Sequence, residues 1–444
     1  MIYEMHIGTF TPEGTYAAAQ AKLPFLRDIG ITLLELMPVS EFPGQFGWGY
    51  DGVHPFAPTR LYGTPFDLCR FIDGAHALGI GVVLDVVYNH LGPDGNYFGK
   101  FSTSYFSERH KTDWGAALNF DGDLAKGARE MVISNAEYWI RDFHFDGLRL
   151  DATQDIYDDS SDHILAALAR AARKAAGDRP ILLIAENEPQ HVKLVRPPAQ
   201  GGYGLDMLWN DDYHHSAMVA LSGHNEAYYA DYRGVPQEFI SAVKYGYLYQ
   251  GQWYRWQKQR RGTPSFGVPP TAFIAFMQNH DQVANSARGL RCLELSNRGT
   301  YKALTALTLL GPGTPMLFQG QEFATTSPFF YFADHVPDLG KQVHEGRIEF
   351  MAQFLTTATP EMQGCLPHPA YRSTFERSKL DWSDVQSNAW AVALHRDLLR
   401  LRRDEPCFRA QTPRGVDGAV LSEEAFVLRF FSDNGDDRLL VINL

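Results

Sequence analysis

Eight short apolar runs, most of them separated by amphipathic helical stretches, constrain this chain more than any other feature. The runs fall at 2–8, 31–37, 82–88, 145–151, 181–186, 206–210, 272–278 and 314–319. Helical patterns lie between them near 16–29, 66–78, 127–143 and 161–176, and a last one near 387–403. Strand and helix in alternation read as parallel βαβ units. Eight such units predict a closed (β/α)8 TIM barrel rather than an open sheet. The stretch from Leu91 to about Lys126 shows no clear period and is too long for an ordinary connection, so it reads as a functional excursion after strand three. After Pro406, F-V-L-R-F-F and R-L-L-V-I-N read as part of an antiparallel sheet that stops at Leu444. The expected layout is a barrel over 1–405, excursion included, and the start of a truncated C-terminal β-sheet domain over 406–444.

Four of the runs break a rule at their C-terminal ends. They read D-V-V-Y-N-H at 85–90, G-L-R-L-D-A at 147–152, L-L-I-A-E-N at 182–187 and M-Q-N-H-D at 277–281. A buried strand excludes charge because removing an ion from water costs several kcal/mol unless it is paired. Here Asp85, Asn89, His90, Arg149, Asp151, Glu186, His280 and Asp281 all arrive at strand ends. A barrel enzyme builds its site in this way, from the ends of several strands. In order and wording, the four segments resemble the signature regions of the α-amylase family of glycoside hydrolases.

Glycosidic bonds break through an oxocarbenium-like transition state handled by two carboxyl groups. Asp151 is the better candidate nucleophile, because Arg149 lies two residues earlier and shares its face of the strand. Glu186 closes a strongly apolar strand, where desolvation would raise its pKa and favour the protonated acid. Asp281 could grip sugar hydroxyls and stabilise developing charge. The resemblance implies the same three roles and makes Asp85, His90, Arg149 and His280 sugar-contacting or supporting residues. Each carboxylate taken singly could instead be an ion pair at a barrel rim. Tyr50, in G-W-G-Y-D-G at 47–52, resembles the aromatic that stacks on the sugar at the cleavage point. Trp48 could share that role or pack the loop, and His6 reads as structural.

Within the family, Y-E-M-H-I-G-T-F at 3–10 and W-G-Y-D-G-V at 48–53 resemble the branching, debranching and trehalose-releasing members. L-D-M-L-W-N-D-D-Y-H-H at 205–215, Q-N-H-D-Q-V-A-N at 278–285, F-Q-G-Q-E-F at 318–323 and S-P-F-F-Y-F-A-D-H at 327–335 resemble the trehalose-releasing ones most. The resemblance implies a retaining hydrolase that cuts the α-1,4 bond beside a terminal trehalose, on maltooligosyl trehalose or a related α-glucan. A glucan branching transferase is the alternative enzyme, a debranching enzyme comes third, and a non-catalytic glucan-binding relative is the alternative from another class. Asp211, Asp212 and His215, after strand six, are the candidate selectors of trehalose, with Asp212 the expected helix cap. Such members normally carry a β-sandwich domain ahead of the barrel and a fuller C-terminal sheet, so a fragment or a misplaced start is expected.

No cofactor is expected, and no metal. The Lys-His pair that follows the nucleophile where many relatives bind calcium is replaced here by A-T-Q-D at 152–155. Asp158, Asp159 and Asp162 read as helix capping. A net charge of −12 argues against nucleic acid as a partner, and no apolar stretch is long enough for a membrane span. Cys69, Cys292, Cys365 and Cys407 form no C-x-x-C pair and read as reduced, packed thiols. With no visible secretory signal, the expectation is cytoplasmic residence.

Overall fold

The computed structural model describes residues 1–433 and 435–444. Eight parallel strands close into a barrel: β1 (Ile2–Met5), β2 (Leu33–Leu36), β3 (Gly81–Val86), β4 (Gly147–Leu150), β5 (Leu182–Ala185), β6 (Met207–Trp209), β7 (Phe273–Phe276) and β8 (Thr314–Phe318). Each pairs with its sequence neighbours, and β1 closes the ring against β8 through Ile2 opposite Met316 and Glu4 opposite Phe318.

Period-two alternation sorts the strand residues into two layers. Leu34, Leu36, Val82, Leu84, Leu148, Leu150 and Leu183 belong to the core beneath the helices. Ile2, Leu33, Val83, Ile184, Trp209, Ile274, Phe276 and Met316 form a separate apolar plug inside the barrel. Two residues further along, the inward positions become ionisable: Ile2 gives way to Glu4, Leu33 to Glu35, Val83 to Asp85, and Ile184 to Glu186. The barrel is therefore oily at one end and charged at the other. Gly147 is obligatory at the entry to β4, because a Cβ there would sit 1.9 Å from the Leu182 carbonyl oxygen.

The elements depart from the sequence expectation at several ends. The first strand stops at Met5, and residues Ile7–Phe10 form a helical turn. The helix expected over 16–29 is two pieces, Tyr16–Gln20 and Leu23–Ile29, with Pro24 in the first turn of the second. The excursion holds a short hairpin, Phe106–Thr112 against Gly115–Leu118. At the C-terminus the sheet has three antiparallel strands, β9 (Val416–Val420), β10 (Ala425–Phe430) and β11 (Arg438–Asn443). The first of these, V-D-G-A-V, carries no clear strand signal in the sequence, because its glycine and exposed positions blur the alternation.

This sheet packs on the barrel. The Phe239 ring, on the helix Pro236–Tyr245, stacks on Phe426 of β10 with centroids 6.0 Å apart, and both belong to one buried cluster. No helix among the described residues is long and apolar enough to cross a membrane. All four cysteines are free thiols; Cys292 and Cys407 are buried and Cys365 is exposed.

Candidate active site

Arg149 is the hub of the charged end. It is fully buried and lies over the Trp209 ring, 4.2 Å from its centroid. Nη1 donates to Asp85 (2.8 and 2.9 Å) and to Asp151 Oδ1 (2.8 Å), and Nη2 donates to Glu186 Oε2 (2.9 Å). Burial opposes its charge, but Asp85 and Glu186 outweigh that and hold the guanidinium ionised. One side chain thus gathers three carboxyl groups from three successive strands, because strand register places Asp85 opposite Arg149 and Arg149 opposite Ile184.

The three carboxyls differ in environment. Asp151 also accepts from Asn89 Nδ2 at 2.9 Å, so both of its oxygens are held. Glu186 is pushed up to about 8: burial is the largest cause, Arg149 works against it, and Asp151 adds to it. Its Oε2 takes both donors, Arg149 and the Ala152 N–H (2.9 Å), which leaves Oε1 to carry the proton. Ala152 has a left-handed backbone (φ 39°, ψ 56°), a strained state for a residue with a Cβ, and it aims this N–H at Glu186. Asp85 is raised to about 6 by burial despite Arg149, and it accepts from the Tyr50 hydroxyl at 2.6 Å.

Asp281 lies in the first turn of a short helix, His280–Ala284, capped by Asn279. Burial alone would raise its carboxyl, but the charge on His280 wins and holds it below the usual range. The Tyr50 ring stacks on His280 (5.2 Å, 21°), and Trp48 meets the same ring edge-on at 4.9 Å. Trp48 is buried and donates its indole N–H to the Phe330 carbonyl, which makes it packing. His6 bonds to Thr9, to the Gly47 carbonyl and to Tyr62, and burial lowers it to about 3, so it is structural as expected. His90 pairs with Asn89 and stacks on the half-exposed Trp114 of the excursion hairpin.

The segment after β6 needs correction. Asn210, not Asp212, caps the helix Asp211–Ser222, its side chain accepting from Tyr213 N. Asp212 is fully buried and committed elsewhere, accepting from the Tyr232 hydroxyl and from Leu248 and Tyr249 N–H at 2.7 and 2.8 Å. His215 is buried among the rings of Tyr228, Tyr229 and Tyr232. Asp212 is thus committed to the loop that follows, while the His215 ring faces the tyrosines around it. Asp211 differs: raised to about 7 by burial, it faces Arg261, Glu188 and Asp281. Arg261, Glu188, Trp114 and Arg347 were missed in the sequence. Glu188 directly follows the segment at 182–187, whereas Trp114 lies in a turn of the excursion, Arg261 on a short strand (Gln259–Arg261) and Arg347 on the helix Pro337–Met351, where no local spacing marks them.

The N-cap of the helix Ile164–Ala176 is His163, accepting from Leu165 N, rather than one of the three aspartates; Asp158 accepts from Ile164 N and Asp162 pairs with Arg170. His110, Asp121 and Asp159 bring potential ligand atoms within 4.8 Å of one another. Arg109 pairs with both of those aspartates, so a protein cation already stands between them. A cavity of about 630 Å³ lies elsewhere, lined by Tyr213, Tyr245 and Phe273 among others and by none of the three carboxylates.

A barrel whose strand ends converge three carboxyl groups on one buried arginine defines a glycoside hydrolase of the α-amylase class. The catalytic-domain model of alpha amylases matches residues 8–120. A malto-oligosyltrehalose trehalohydrolase from Deinococcus radiodurans is 42% identical over 429 residues, covering 95% of this chain and 69% of that protein. One from Saccharolobus solfataricus is 38% identical over 405 residues, 91% of this chain and 68% of that protein. A crystal structure described as an alpha amylase from Salmonella typhimurium is 38% identical, with a TM-score of 0.92 over 100% of this chain and 75% of that one. The chain belongs to the malto-oligosyltrehalose trehalohydrolase family.

Proposed function

We propose that this chain hydrolyses the α-1,4 bond joining a maltooligosaccharide to a terminal trehalose, with retention of configuration, and releases trehalose. The observation that carries the reading is the pairing across Arg149 of Asp151, held at both oxygens, with Glu186, which keeps its proton to about pH 8. In the first step an Asp151 oxygen attacks the anomeric carbon while the bond to the glycosidic oxygen breaks. Glu186 gives its proton to that oxygen, and trehalose leaves. In the second step Glu186, now a carboxylate, takes a proton from water; the water oxygen attacks the same carbon and Asp151 is expelled. Asp281 is the stabiliser of the positive charge that develops in both steps. Tyr50, Asp85, His90 and His280 line the sugar at the cleavage point, and Asp211 contributes to recognition on the leaving side. The substrate class is an α-glucan.

The test is product analysis on maltooligosyl trehalose, amylose and pullulan in parallel. Free trehalose from the first, with much slower cleavage of the other two, is expected. Chain transfer without net hydrolysis would favour a branching enzyme, and pullulan cleavage a debranching one.

A further inference from the structure

His280 is held from both sides. Its Nε2 lies 3.3 Å from Asp281 Oδ2, its Nδ1 pairs with Glu4 Oε1, and its backbone N–H donates to Glu4 Oε2 at 3.2 Å. Glu4 reaches it from β1, one strand beyond β8, and is itself fully buried. The Glu4 carbonyl accepts from Gln319 N–H at 2.9 Å, which fixes the strand that carries it. With Tyr50 stacked on the ring and Trp48 against its edge, the imidazole has one orientation.

We propose that Glu4 is a positioning residue for the reaction: it holds His280 as an imidazolium aimed at Asp281, so that Asp281 meets the transition state as a carboxylate. The proposal rests on the role assigned above to Asp281. An imidazole can donate from both nitrogens only when doubly protonated, and a carboxylate on each side favours that form. Burial opposes the charge, yet Asp281 and Glu4 together outweigh it and raise His280 well above the usual histidine range.

The other groups facing this pair do not replace Glu4. Glu35, beside Glu4 on β2, is held neutral by burial, and His6 is neutral above about pH 3. Asp281 also feels Arg149 and Arg347, both permanent cations, and it faces Glu186, Asp211, Tyr50, Tyr228 and Tyr331. Glu4 is therefore the group, apart from Asp281 itself, whose charge keeps the imidazole protonated. A packing role alone would be met equally by a glutamine, which has the same shape and can still accept from the His280 backbone.

The experiment compares wild type, Glu4→Gln, Glu4→Asp and Asp281→Asn in the full chain on maltooligosyl trehalose, with the His280 imidazole followed by nitrogen NMR. In wild type, both ring nitrogens should stay protonated through neutral pH. In Glu4→Gln the ring should lose a proton, kcat should fall on the order of 10²-fold with little change in KM, and the acidic limb of kcat should move up by about 1 pH unit. Glu4→Asp, which keeps the charge, should return the limb towards wild type. A Glu4→Gln enzyme with an unshifted limb and an unchanged imidazolium overturns the proposal, as does a neutral His280 in wild type near pH 7. That last measurement decides the matter even if Glu4→Gln does not fold. An active Asp281→Asn enzyme would instead remove the role given to Asp281.

Discussion

Glu186 and Asp151 share the Arg149 guanidinium, and what separates them is the burial of Glu186 and the Ala152 N–H that fixes one of its oxygens. The acid must be protonated to work, so kcat/KM should fall as pH rises through about 8. A profile flat to well above that value would count against Glu186 as the acid. The same shift has a stability consequence of known sign. The folded state keeps a proton that the unfolded chain, with an ordinary glutamate value of 4.5, has already lost, so stability from this group falls as pH climbs from about 4.5 to about 8. Glu186→Gln accepts the same two hydrogen bonds without that loss. Relative to wild type it should gain on the order of a few kcal/mol in denaturant midpoint analysis between about pH 5 and the alkaline side. An equal difference at both ends would mean that Glu186 ionises normally in the fold. Asp151→Asn should leave the fold intact and lower turnover by more than about 10²-fold, because no glycosyl ester can form; a smaller loss would move the nucleophile elsewhere.

At the level of elements, the helix Asp211–Ser222 shows two adjacent aspartates with separate tasks. Asp211 points to Arg261 and Glu188 beside Asp281, while Asp212 ties down Leu248, Tyr249 and Tyr232. Asp211→Asn should therefore reduce trehalose release more than residual cleavage of plain maltooligosaccharides, because discrimination depends on polar groups that one substrate satisfies and the other leaves unpaired. Asp212→Ala should instead lower thermal stability, by about 1–3 kcal/mol for each buried donor left unpaired, and depress both activities alike. Initial rates on the two substrates, with melting curves, separate these outcomes. Strand-end carboxylates were legible in the sequence because each sits at a fixed offset from an apolar run. The fates of Asp211 and Asp212 were not legible, because helical rotation between neighbours turns one to the rim and the other inward. The cap was misassigned for a related reason: Asn, Asp and Asp in succession all suit that position, and only the backbone chooses Asn210.

Over the whole molecule, eight apolar runs with the right spacing made the barrel and its charged mouth readable. Period-two alternation and a short list of strand connections leave little freedom. Arg261, Trp114 and Arg347 were not readable, since a short two-stranded hairpin, a turn and a later helix carry them to the site and their sequence neighbourhoods have no periodic signal. The way the C-terminal sheet meets the barrel was equally hidden, because it is made by residues far apart in sequence, such as Phe239 on Phe426, that join one buried cluster. Because these rings share one buried cluster, barrel and sheet should unfold together. Phe426→Ala should cost about 3–5 kcal/mol and shift a single calorimetric transition as a whole; two resolved transitions would show the sheet to be an independent unit. The central claim, a retaining hydrolase that frees trehalose, is tested most directly by following anomeric proton signals during the first minutes of reaction on maltooligosyl trehalose. The account predicts free trehalose and an equal amount of maltooligosaccharide that appears first as the α-anomer. A β-anomer first, or consumption of substrate without trehalose, would contradict it.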